Sequence, residues 1–349
     1  MKKILTTTAL IGSTLIASGS LSSAQVTMTG QLDLSYKALT DKNTHANSYS
    51  GFGRESQLNV GYKGKLSNGI GFNAGFSWEF DGNDGATQAA QNGATAENTY
   101  IDFIIDKTTV TIGADHVMNP DFQITNIAGG KADIDDVTYG IAGSAGGLAY
   151  TARKANMASE SFGIGVTQDF GVAKVLINYT PSRTAGLAGN DNGQSTRGQV
   201  EDGNSQVEAM IDGNFGIQGA RAFYYKGKSN SDTGGTSVDL EGHKYGASYN
   251  FGQFTVAAEK SVVTSTANVD TDRKDLGVAY AVNKDLTVNL IRTKTSASNK
   301  SADETLKAIN IGYNLGPITL NTWYATASDF GGNAGVDGKS FMLMTTTKF

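Results

Sequence analysis

Carboxylates crowd one turn-rich stretch of this chain, where Asp115 and Asp121 are followed by Asp133, Asp135 and Asp136. Oxygen donors at that density suit two kinds of chemistry: ligation of a hard cation such as calcium, or the shaping of a negative field between low-dielectric walls. The spacing does not match an EF-hand loop, and neither a metal nor another cofactor is expected. Hydrolysis has less support still. The three histidines, His45, His116 and His243, lie far apart in sequence, and the chain has no cysteine. A serine or cysteine nucleophile needs an imidazole within hydrogen-bond reach, and no motif places one there.

The segments that must position these residues read as strands. In the closing stretch, Phe341, Leu343, Thr345, Thr347 and Phe349 fall on one side, and near the start Val26, Met28, Leu32, Leu34 and Tyr36 do the same. A terminal phenylalanine gains nothing from water. At a membrane edge it is an aromatic anchor, and a last strand paired with the first leaves no open edge in the bilayer. Eighteen segments can be read as one-sided strands, among them 137–142 and 148–152. Short turns at 67–69, 106–108, 143–147, 170–171, 213–216, 252–253, 283–285 and 316–317 alternate with longer loops. Tyr36, Phe80, Phe170, Tyr179, Phe251, Tyr324 and Phe349 each come last on the apolar side before a turn. A soluble sandwich or solenoid would also alternate, but it has no reason to place aromatics there. The expectation is all-β: a closed antiparallel transmembrane barrel with short periplasmic turns and longer external loops.

Composition agrees. Lys2 and Lys3, an apolar run from Ile4 to Ile16 and the small residues ending at Ala24 read as a secretory leader over 1–24, leaving 25–349 as a single domain. Without Lys2 and Lys3, 26 basic residues stand against 33 acidic ones, a net charge of −7 that gives no footing for a nucleic-acid partner. Forty-four glycines with three prolines fit tight turns and strands rather than collagen or disorder. After the leader no apolar run is long enough for a membrane helix.

Four places then resemble the trimeric porins of Gram-negative outer membranes: the opening Val26 to Asp33, Gly61-Tyr62-Lys63-Gly64 followed by Leu66 to Gly69, the Phe76–Phe80 segment with Glu79, and the terminal Phe349. The resemblance implies a barrel of sixteen strands in the outer membrane, against the eighteen read from alternation, so sixteen to eighteen strands are expected. It also implies a homotrimer in contact with outer-membrane lipid, a final aromatic read by the barrel-assembly machinery, and a third external loop, here about 116–136, folded into the pore. Asp115, Asp121, Asp133, Asp135 and Asp136 then form an acidic constriction. Glu79, Asn59, Lys63, Lys65, Arg153 and Arg221 are candidates for the wall that faces it. Where such porins carry arginines on the wall, this chain has Asn59 and Ala114. Passive diffusion of ions and small hydrophilic solutes, with a weak preference for cations, is the expected function. A barrel hydrolase of lipids or peptides and a non-channel adhesin are the alternatives. Sugar specificity would need aromatics on the lumen side, and only Tyr139, Phe223 and Trp323 are candidates.

Overall fold

The computed structural model describes residues 25–41, 48–83, 95–114, 123–129, 132–141, 147–153, 162–181, 205–233, 236–265 and 269–349. The leader, Asp115 and Asp121 lie outside the described residues. Alternating sequences on this scale can hide every backbone polar group only by closing on themselves, and sixteen antiparallel strands do so. They are β1 Gln25–Asp41, β2 Tyr49–Lys65, β3 Gly71–Asn83, β4 Thr95–Ile105, β5 Thr108–Ala114, β6 Phe162–Asp169, β7 Ala173–Thr180 and β8 Gln206–Gly213. The circuit continues with β9 Ala220–Thr233, β10 Thr236–Phe251, β11 Phe254–Ser265, β12 Thr271–Ala281, β13 Leu286–Ala297, β14 Glu304–Asn314, β15 Ile318–Ser328 and β16 Gly338–Lys348. Each strand pairs with its neighbours in sequence, and β16 pairs with β1.

The count is sixteen and not eighteen, because the segments at 137–142 and 148–152 are not wall strands. Inside the barrel, Val137 and Thr138 close the helix α1 at Ile134–Thr138, 139–141 follow it as a turn, residue 142 lies outside the described residues, and 148–152 belong to α2 at Leu148–Arg153. In α1 the decisive pattern is Ile134 and Val137, buried three residues apart, with Ile141 buried just beyond the helix and Asp133 and Asp136 forming a capping box at its start. In α2, Ala149 and Ala152 share one buried face. Over six residues an alternation of two and a spacing of three cannot be told apart. The short turn expected at 143–147 disappears with these strands, and 143–146 lie outside the described residues. The other seven short turns are tight connections, as at Gly316, whose φ of 85° a side chain would resist.

The seam closes as the terminal sequences suggest. Gly30 N–H donates to the Phe349 carbonyl at 2.7 Å and Phe349 N–H to the Gly30 carbonyl at 3.0 Å. The Phe349 ring lies over Gly30, where any Cβ would collide with it.

Outside, apolar side chains such as Leu276, Leu290, Ile309 and Ile177 stand exposed, as one face of a soluble protein does not. Aromatic clusters bound this band. Phe254 sits 5.8 Å from Phe251 and 4.9 Å from Tyr280 beside the short turns, while Tyr36–Phe52 at 5.2 Å and Tyr224–Tyr245 at 6.5 Å lie toward the loops. Two girdles around an apolar band are the pattern of a barrel solvated by lipid.

Candidate functional site

Part of the long connection between β5 and β6 lies inside the barrel against one side of the wall. Residues 123–129 cross the inward faces of β10 to β14. Ile124 N–H donates to Glu259 on β11 at 3.1 Å, and Asn289 on β13 donates its amide to the Thr125 carbonyl at 2.9 Å. Glycines on the wall make the approach close enough. A Cβ on Gly277 of β12 would stand 2.8 Å from the Thr125 carbonyl, and one on Gly312 of β14 would collide with the Ala128 carbonyl. Next, α1 packs Ile134 and Val137 into an apolar core with Leu39, Leu306, Trp323 and Met344. Lys37 on β1 donates to the Asp136 and Tyr139 carbonyls at 2.6 and 2.8 Å, and Ser340 on β16 donates to the Val137 carbonyl. The carbonyl end of the short helix is thereby satisfied from the wall.

Arg273 ties these pieces together. It is fully buried on the inward face of β12, where its Nε donates to Asp275 at 2.8 Å. One Nη donates to the Ala149 carbonyl of α2 at 2.7 Å, and the other reaches Asp135 of α1 at 3.4 Å. With its amide oxygen turned inward, Gln123 accepts from the same guanidinium at 2.7 Å. One planar fork thus holds three separated segments of the loop, a task that a lysine point charge could not perform. Beside it, Lys244 of β10 and Glu259 form a buried pair at 3.2 Å. Glu304 of β14 accepts from the N–H groups of Leu148 at 3.1 Å, Ala149 at 2.8 Å and Gly331 at 2.8 Å. These donors include the free first amides of α2.

The acids expected to line a constriction therefore have different duties. Asp135 faces Arg273, and the Asp136 carboxylate accepts from the Asp133 N–H at 2.8 Å. Asp133 accepts from Asn126 at 3.0 Å. Among the described residues no group of three potential ligands could hold a metal.

The wall candidates also separate. Asn59 on β2 and Glu79 on β3 are half-buried, and the strand alternation turns both into the barrel, across from the loop. Lys63 and Lys65 are exposed at the short-turn end of β2 and not opposite the acids. Arg221 faces inward near the short-turn end of β9, paired bidentately with Asp212 at 3.0 and 2.7 Å. Arg153 is not on the wall: it is the last residue of α2, because the segment expected as a strand is helical. Phe223 and Trp323 point inward but are buried in packing, while Tyr139 is 40% exposed beside Lys37. His243 lies on the outward face of β10 between Tyr224 and Glu241, at 3.0 and 2.7 Å; His45 and His116 lie outside the described residues. Arg273, Lys244, Glu259 and Glu304 escaped the sequence reading. Their signal was there, since Arg273 and Asp275 alternate with the apolar Leu276, Val278 and Tyr280.

The family described as Gram-negative porin matches residues 6–333. Among solved structures, OmpT of Vibrio cholerae aligns over 95% of this chain and 99% of its own, at 13% identity and a TM-score of 0.60. A mutant of the Rhodopseudomonas blastica porin aligns over 93% of this chain and 100% of its own, at 13% identity and a TM-score of 0.61. At such identities the likeness is one of fold. No curated protein sequence matches the chain.

Proposed function

The chain belongs to the Gram-negative porin family, an outer-membrane channel by that membership, and from this premise we propose that it is a passive, water-filled pore for ions and small hydrophilic solutes. One observation carries the reading: the described segments of the loop are fixed against one side of the barrel by Arg273, a position that narrows the lumen from that side. A plug would have to meet the opposite wall, where Asn59 and Glu79 remain half-buried and Lys63 and Lys65 exposed. Solutes would diffuse down their gradients with no cofactor, no energy source and no catalysis. Cations would be weakly favoured, because the chain after residue 24 carries −7 and Glu79 and Asp133 face the lumen region without a wall arginine at Asn59. By analogy with the family, the protein would assemble as a homotrimer with its short turns in the periplasm, after removal of residues 1–24 and insertion guided by Phe349.

Single-channel recording in a planar lipid bilayer tests the proposal. Stepwise conductance that grows in proportion to bulk salt conductivity is expected. Absence of steps from folded protein would favour the adhesin or hydrolase reading. On mild-detergent gels the assembly should migrate as a heat-resistant oligomer and dissociate on boiling; a monomer at every temperature would count against the trimer.

A further inference from the structure

On the outward face of the barrel, Arg292 of β13 and Lys307 of β14 stand directly opposite each other in the strand register. The same cross-strand row continues through Thr326 of β15 to Lys339 of β16. Arg292, Lys307 and Lys339 are exposed and make no ion pair among the described residues. One step toward the loops the pattern differs. There Lys260 and Lys274 share Asp272 at 2.7 and 3.6 Å, and Lys294 has Asp303 at 2.8 Å. One step toward the short turns, the row is Leu290, Ile309, Tyr324 and Phe341, without a polar charge.

Like charges directly opposed across strands repel, and cations bordering a lipid-facing apolar band are costly unless an anion reaches them. With strands about 4.8 Å apart, Lys307 lies roughly 5 Å from Arg292 and roughly 10 Å from Lys339, with the Thr326 hydroxyl between the last two. A guanidinium fork beside ammonium groups and a hydroxyl is a set of donors suited to phosphate oxygens. The apolar row beneath is suited to acyl chains. We infer that Arg292, Lys307, Thr326 and Lys339 hold the phosphate headgroup of an anionic lipid, whose acyl chains lie over Leu290, Ile309, Tyr324 and Phe341. This rests on the membrane-barrel reading but not on conduction. The site lies on the loop side of the apolar band, so the lipid belongs to the leaflet on that side.

The test is native mass spectrometry of the full assembly in neutral detergent, with phosphatidic acid and phosphatidylcholine of the same acyl length as probes. The native protein should retain phosphatidic acid preferentially. Replacing Arg292, Lys307 and Lys339 together by serine should reduce that retention at least tenfold, roughly the loss of one strong charge-assisted contact. Arg292→Lys alone should keep most of it, and an excess of inorganic phosphate should not displace the lipid. A heat-dependent gel shift shows that each variant is folded. Equal retention by the triple variant, no preference for phosphatidic acid, or displacement by inorganic phosphate would overturn the inference. So would loss of the oligomer with lipid retention unchanged, which would make the patch a contact between copies. Lipid retained by protein that opens no channels would support this site while sinking the pore reading.

Discussion

The wall beneath the inward loop and the wall across from it are made from the same alternating strands, yet their inward residues do different work. Under the loop, Arg273, Asn289, Glu304 and Trp323 are 0% exposed and packed as in the interior of a soluble protein. Across the barrel, Gln57, Asn59 and Glu79 are only half-buried, and Lys63 and Lys65 are exposed. The difference teaches where charge acts. Under the loop, opposite charges neutralise one another at short range and fix geometry, so the other wall is left to set the field that a solute meets. The position of the described part of the loop is thus a packing result, and we propose that selectivity is set on the side that this part does not touch.

The largest expected effect comes from breaking the covered side. Arg273→Ala would leave Asp135 and Asp275 buried without their cation, a loss of about 3–5 kcal/mol for a buried pair. The barrel should open at lower temperature on gels, and single-channel conductance should rise and fluctuate as α1 and α2 lose their common anchor. At the short-turn end of β9, Arg221→Ala removes a partly exposed pair with Asp212 and should cost under about 1 kcal/mol. Comparable losses from the two variants would erase the contrast between the buried charges under the loop and a partly exposed pair.

A smaller effect, of opposite sign on conductance, should follow from Gly277→Val. Its new side chain would meet the Thr125 carbonyl at 2.8 Å from the Cβ, so the loop must move off the wall and into the lumen. Conductance should fall while the oligomer persists. An unchanged conductance would mean that residues 123–129 do not border the water path.

Much of the barrel was legible in the sequence because period-two alternation repeats over long segments, and its error was confined to the one place where segments are short. Residues 148–152 and 137–142 alternate by accident, while the capping pair Asp133 and Asp136 marked a helix start. The candidate site was only half legible. Counting acids locates the loop, but whether an acid is free or neutralised depends on partners far away in sequence, as Asp135 depends on Arg273. Alternation placed Lys63 on the correct side of its strand, yet not its height along the pore, which the position of the nearest tight turn decides.

The comparison is sharpest, and the expected effect smallest, in ion selectivity. Neutralising Asp133, Asp135 and Asp136 together would not test charge alone, because it would also remove the partner of Arg273 and the cap of α1. Single changes separate the two walls. Asn59→Arg adds one cation at mid-strand on the uncovered side, whereas Asp133→Asn removes one anion from the loop while keeping a polar partner for Asn126. Lys63→Gln with Lys65→Gln removes two cations at the short-turn mouth, the nearer of them about 13 Å along the strand from Asn59. Charges in water are screened over a Debye length of about 8 Å at physiological salt, so position should outweigh number. Reversal potentials across a salt gradient should therefore shift most toward anions in Asn59→Arg and less in Asp133→Asn. The double lysine variant should move them only slightly, toward cations. All three shifts should grow in dilute salt. If the mouth lysines or Asp133 move the potential more than Asn59→Arg, the uncovered wall does not set the field in the pore.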